Sequence, residues 1–150
     1  YYVGGLVAEG GVLTLTDSEV AENEGYYYGG GLGVSAAVVD LDECQVHGNY
    51  TLYATWHSSP VGGGLILNDS AEVTCTGSTS TTAGVYDNEA DYGAGAVLYD
   101  TSSVLYSDTC DWGTGSTDND PDDVSMYYGW VSYSSYAADE SFTCTGYSCY

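Results

Sequence analysis

The chain has 150 residues, 22 of them Asp or Glu and none Lys or Arg, for a formal net charge of −22. That balance excludes nucleic-acid binding, which needs basic side chains to neutralise phosphates, and docking on anionic headgroups, which needs the same residues. It leaves no P-loop lysine and no kinase ion pair.

With 17 Tyr, one Phe and 21 Gly, the composition suits pleated strands and tight turns better than helices. No run approaches the ~20 apolar residues of a membrane-spanning helix, so no membrane insertion is expected. No basic n-region with an apolar core opens the chain, so a signal peptide has been removed or the chain is a processed fragment.

In chain order the sequence repeats. Tyr1-Tyr2-Val3-Gly4-Gly5-Leu6 returns as Tyr27-Tyr28-Gly29-Gly30-Gly31-Leu32, then as Pro60-Val61-Gly62-Gly63-Gly64-Leu65, then as Asp91-Tyr92-Gly93-Ala94-Gly95-Ala96. A worn fifth copy stands at Tyr127-Tyr128-Gly129-Trp130-Val131. A second mark follows each glycine cluster: Val20-Ala21-Glu22-Asn23, Val46-His47-Gly48-Asn49 and Val85-Tyr86-Asp87-Asn88. The fourth unit loses its Asn and reads Cys110-Asp111-Trp112-Gly113. Between the marks lie alternating stretches such as Leu13-Thr14-Leu15-Thr16 and Val39-Asp40-Leu41-Asp42.

Each unit is thus three short period-2 segments divided by Gly, Asn or Asp. An antiparallel sandwich expects turn signals every 8–12 residues, not one motif every ~30. The expectation is an all-β, single-domain right-handed parallel β-helix of about four to five coils. Its units are 1–26, 27–59, 60–91 and 92–129, followed by a strand-like C-terminal segment, 130–150. Equivalent residues then lie about 4.8 Å apart. Leu6, Leu32, Leu65 and Ala96 form one inward ladder; Asn23, Asn49 and Asn88 form a turn ladder of hydrogen-bonded amides.

Gly-Gly-x-hydrophobic followed by Val-x-x-Asn resembles the repeat of polymorphic outer-membrane proteins and of secreted bacterial right-handed parallel β-helix repeat proteins. The ending resembles one that many of the latter share: Asp111-Trp112-Gly113, then Asp118-Asn119-Asp120-Pro121-Asp122-Asp123-Val124, closing on Ser141-Phe142-Thr143-Cys144-Thr145-Gly146 and Cys149. The resemblance implies fold and secretion, to the extracellular space or the cell surface, and no single activity. Polysaccharide lyases of such folds resemble one another in using Arg or Lys as base, which this chain lacks. Asp122 and Asp123 are adjacent, poor geometry for a shared glycosidic bond. No enzyme activity is expected.

Asp118, Asp120 and Asp122 alternate as in oxygen-ligand loops, which makes calcium the candidate cofactor. The loop has Asp123 where an EF-hand needs Gly, and Gly129 where it needs Glu. His47 and His57 read as exposed strand residues. The five cysteines contain no CxxC pair, which argues against zinc and for an oxidising compartment. Cys144 and Cys149 flank a short turn and form the expected internal bridge. Cys44, Cys75 and Cys110 fall in successive units, so an adjacent pair can bridge them and the leftover thiol becomes a candidate intersubunit staple. An open strand edge at the start of the repeat invites pairing. The functional expectation is therefore a non-enzymatic extracellular structural protein, a fibre or surface-layer subunit that polymerises head to tail with itself through Tyr1, Tyr2, Tyr133 and Tyr136. A monomeric adhesin recognising glycans is the second reading, and a polysaccharide-degrading enzyme the third.

Overall fold

The computed structural model describes residues 3–52, 61–78, 82–126, 131–133, 140–145 and 148–150. Fifteen strands run through them: β1 (Leu6–Thr16), β2 (Glu19–Ala21), β3 (Glu24–Tyr26), β4 (Leu32–Asp42), β5 (Gln45–His47), β6 (Tyr50–Leu52), β7 (Leu65–Asn68), β8 (Glu72–Thr76), β9 (Gly84–Tyr86), β10 (Ala96–Leu98), β11 (Val104–Cys110), β12 (Val124–Met126), β13 (Val131–Tyr133), β14 (Glu140–Thr145) and β15 (Ser148–Cys149).

The units stack in the register that the repeats predict. Leu6 pairs with Leu32, Leu32 with Leu65, Leu65 with Ala96 and Ala96 with Val124, all parallel. Leu32, Leu65, Ala96 and Val124 are wholly buried. A second inward row runs from Val39 through Val73 to Leu105. Each fully buried Leu or Val stabilises the fold by about 1.5–3 kcal/mol relative to exposure.

The two sequence marks recur together because they touch. A Cβ at Gly31 would stand 2.9 Å from Asn49 Nδ2, and one at Gly64 would stand 3.0 Å from Asn88 Nδ2. Any side chain there displaces the amide, so the glycine next to the apolar position and the Asn form one structural unit.

The assembled architecture is not the expected right-handed parallel β-helix. It is an all-β fold whose main sheet curls into a half-barrel, with parallel and antiparallel strands mixed and two smaller sheets beside it. The main sheet has ten strands in the order β13-β12-β10-β7-β4-β8-β11-β14-β15, with β1 added on β4. Two features depart from uniform coils. First, β1 and β4 run through a bend where later units break. Positive φ at Gly10 (71°), Gly11 (77°) and Ala36 (49°) turns these strands without ending them. In the third unit the same place holds Asp69 (57°) and Ser70 (64°), and the strand divides into β7 and β8. One long β4 therefore pairs with both, and two faces merge into one curled sheet. Second, the chain reverses at its far end. β12 with β13, β11 with β14 and β14 with β15 are antiparallel. The remaining faces are small parallel sheets, β2-β5-β9 and β3-β6.

The reversing strands share the main core. Phe142 and Cys144 on β14 are buried with the inward rows, and the Phe142 ring lies 5.2 Å from the wholly buried Trp112. Trp112 Nε1 donates to Ser107 Oγ at 3.0 Å, which satisfies its only polar atom.

Candidate interaction edge

Strand β1 pairs with β4 on one side only among the described residues. Its 11 residues include a single carboxylate, Glu9. Val7 is 51% and Val12 74% exposed, whereas their β4 partners Gly33 and Val38 are buried and half-buried. An edge of this length, apolar and nearly uncharged in so acidic a chain, is a template for strand addition.

The backbone at this edge has a direction. Gly4, Gly5 and Leu6 donate their N–H groups forward to the carbonyls of Gly29, Gly30 and Gly31. Gly29, Gly30, Gly31 and Leu32 do the same to Val61, Gly62, Gly63 and Gly64. Within the glycine turns the donors point toward the later unit; elsewhere the direction alternates, as when Gln45 N donates back to Ser18 O and Tyr50 N to Asn23 O. Val3, Gly4 and Gly5 hold the positions of Gly29, Gly30 and Gly31, and among the described residues no backbone N–H of another unit donates to their carbonyls.

The asparagine ladder has the same direction. The Oδ1 of Asn49 accepts from Asn23 N (3.1 Å) and Asn23 Nδ2 (2.9 Å). That of Asn88 accepts from Asn49 N (3.1 Å) and Nδ2 (3.0 Å). That of Asn119 accepts from Asn88 N (3.1 Å) and Nδ2 (3.0 Å). Asn119 Nδ2 then donates to Asp123 Oδ1 at 2.8 Å, so a wholly buried carboxylate closes the ladder. At the β1 end, Asn23 is only half-buried and its Oδ1 receives no donor among the described residues.

Asn119 is thus the fourth rung, which the sequence reading missed. Residues 113–118 separate it from Trp112 and hide the Val-x-x-Asn spacing. The signal that could have found it is Gly95, whose Cβ would stand 2.9 Å from Asn119 Nδ2.

The loop around these aspartates is tied to the ladder through its backbone. Asp120 is exposed and its backbone N–H donates to Asn88 O, while Asp122 accepts from Ser125 Oγ at 3.3 Å. Asp118, Asp120 and Asp122 are not gathered: among the described residues no three His, Cys, Asp or Glu side chains could hold one metal ion. The buried residues here are the two between and beside them, Asn119 and Asp123.

The cysteines pair as Cys144–Cys149 and Cys75–Cys110, the latter with Cα atoms 6.0 Å apart. Cys44 is the free thiol. It is buried, its Sγ–H donates to Asp42 O at 3.4 Å, and burial pushes its pKa up. A thiol in the core cannot staple subunits, so that expectation is corrected.

Of the aromatic assembly residues, Tyr1, Tyr2 and Tyr136 lie outside the described residues, as does His57. Tyr133 ends β13, its backbone opposite Val124. Another polar–aromatic cluster stands on the β2-β5-β9 face. The His47 ring stacks on Tyr86 at 5.1 Å and 4°, and His47 Nε2 lies 2.8 Å from Glu19 Oε1. Tyr86 Oη donates to Gln45 Oε1 at 2.7 Å, and burial pushes its phenol pKa up.

Comparison with protein-family models, with curated proteins and with solved structures gives no match. Two disulfides, and the absence among the described residues of a helix long and apolar enough to cross a membrane, are compatible with a secreted protein.

Proposed function

We propose that this chain is a non-enzymatic extracellular structural protein, a subunit of a fibre or surface layer joined to its neighbours by strand addition at β1. The observation that carries this reading is the pairing of β1 on one side only among the described residues, with Val7 and Val12 exposed along it. Disulfides fit an oxidising compartment. The absence of both Lys and Arg removes trypsin-type cleavage sites, and the absence of Lys also removes isopeptide cross-links through a lysine amine. Negative-stain imaging and sedimentation of the native material test the proposal. Filaments or sheets are expected. Particles of monomer mass at all concentrations, with salt screening the charge, would sink it.

The stacked His47 and Tyr86 rings favour a second reading, a surface module that binds glycans. Bound sugars place an apolar face on an aromatic ring and hydroxyls on neighbours such as Glu19 and Gln45. Glycan-array binding by a monomer that is lost in Tyr86→Ala would favour it over assembly.

A further inference from the structure

Cys75 stands between two cysteines that share one place in the repeat. Its Cα partners are Leu41 in the second unit and Ser107 in the fourth, and all three residues are buried. Three residues beyond each partner, past a residue of positive φ (Glu43 at 53°, Thr109 at 58°), comes a buried cysteine: Cys44 after Leu41, Cys110 after Ser107. The backbone shows that the two corners correspond. Gly84 N donates to Cys44 O and Asp111 N to Ala83 O, which places Cys44, Ala83 and Cys110 in one column. The bridge from Cys75 to Cys110 therefore runs from a strand end to the corner of the next unit, with Cα atoms 6.0 Å apart. The step from Cys75 to Cys44 is the same one taken toward the preceding unit, and all three cysteines lie in one core cluster. Between the two cysteine corners the column carries only the methyl group of Ala83.

We propose that Cys44, Cys75 and Cys110 form an intramolecular disulfide switch in which Cys75 bonds either to Cys110 or to Cys44. The Cys44 thiolate attacks Cys75 Sγ. The Cys44–Cys75 bond forms as the Cys75–Cys110 bond breaks, and Cys110 leaves as a thiolate that takes up the proton Cys44 gave. One bridge and one thiol stand before and after, so no oxidant or reductant is consumed. The exchange moves the covalent tie. Bonded to Cys110, Cys75 locks the third unit to the fourth; bonded to Cys44, it locks the third to the second, whose β4 holds β1. Cys44 is enclosed and its Sγ–H is bonded to Asp42 O, so the exchange waits on an opening of that corner. It operates within one molecule, whether or not the chain assembles.

Disulfide mapping of the full chain tests this, with pepsin as the protease because no Lys or Arg is present. Acid digestion also arrests exchange by removing the thiolate. The natural protein, held in urea below its unfolding midpoint and then quenched with an alkylating reagent, should pass its single alkylation mark from Cys44 to Cys110. A Cys44–Cys75 peptide should appear in step, with Cys144–Cys149 unchanged. Cys44→Ser should lose the mark on Cys110 altogether. Cys110→Ser, oxidised in a glutathione buffer, should form Cys44–Cys75 and keep no free thiol. A mark on Cys44 alone at every urea concentration overturns the proposal, as do new bridges to Cys144 or Cys149, which mean random scrambling. A folded Cys110→Ser in which Cys44 and Cys75 both stay free overturns it too. Should that variant not fold, the natural protein and Cys44→Ser decide.

Discussion

Asn49 and Asn88, 39 residues apart in sequence, are joined twice. The backbone N–H and the side-chain amide of Asn49 both donate to the one Oδ1 of Asn88. Both residues are almost fully enclosed. The pair holds two repeat units in register at the corner that follows the buried Val46–Val85 row.

Replacing Asn88 by Ala leaves the Asn49 backbone N–H without its acceptor, leaves Asn49 Nδ2 with Val20 O alone, and removes the bonds from Asn88 Nδ2 to Val46 O, Tyr86 O and Asn119 Oδ1. An orphaned buried donor costs about 1–3 kcal/mol, so Asn88→Ala should lower stability by about 3 kcal/mol. Asn23→Ala, at the half-buried end with no rung before it, should cost about 1 kcal/mol. Urea titrations of the two variants measure the difference, and equal losses would show that the ladder does not act through burial.

Leu32 stands between Leu6 and Leu65 and is wholly buried. Leu32→Ala should destabilise the fold by about 2–5 kcal/mol. Val12→Thr, at an exposed β-branched edge position, should change it by less than about 0.5 kcal/mol. Thermal melts of both variants check this contrast.

The two disulfides should contribute unequally. Cys75–Cys110 closes a separation of 35 residues and Cys144–Cys149 one of 5. Loop-closure entropy gives about 4 and about 2 kcal/mol respectively. Serine pairs at each bridge, compared by denaturant midpoint, test the order. Cys44 should resist alkylation in the native protein and react once in denaturant. Non-reducing gels should therefore show no thiol-linked multimers; a ladder that collapses on reduction would contradict the burial of Cys44.

Asp100 should mark the acid limb. Burial raises its pKa, but hydrogen bonds from the hydroxyls and backbone N–H groups of Ser102 and Ser103 more than offset this and hold it below the ordinary value. A carboxyl lowered in the folded state contributes stability above its unfolded pKa of about 3.9. That contribution fades as pH falls through the lowered folded value. The stability gap between the natural protein and Asp100→Asn should be constant near neutrality and close below about pH 4. A gap independent of pH would show that the serine cluster does not depend on the charge.

The repeat made the stacking legible. Leu6, Leu32, Leu65 and Ala96 pair in the register that the glycine clusters set, since one motif aligned on itself fixes register without knowledge of the turns. Leu6, however, expected inward, is exposed on the unpaired side of the stack. The closure of the sheet was not legible. Ala36 bends β4 at φ 49°, and alanine carries no turn signal, so nothing distinguished a strand that bends from one that stops. The antiparallel end was hidden because the motif wears out after Ala96 and no pattern replaces it. At the candidate edge, the direction of the glycine-turn donors and of the asparagine ladder depends on backbone orientation, which a sequence does not display. The alternation of Asp118, Asp120 and Asp122 does not gather them on one face, because residues two apart share a face only in a strand. Here they lie in a loop, where Asn119 turns inward instead.

The Cys75–Cys110 link also sets how the molecule bears mechanical load. Pulled from its two ends, the chain transmits tension through that covalent tie, and the residues between the two cysteines are shielded from extension. Strand β1, held by one neighbour, peels or shears away first, and the glycine-bent corner at Gly10 and Gly11 is a natural point for the tear to start. Reducing the Cys75–Cys110 link frees the residues between the two cysteines, so that stretch becomes extensible only when the bond is broken.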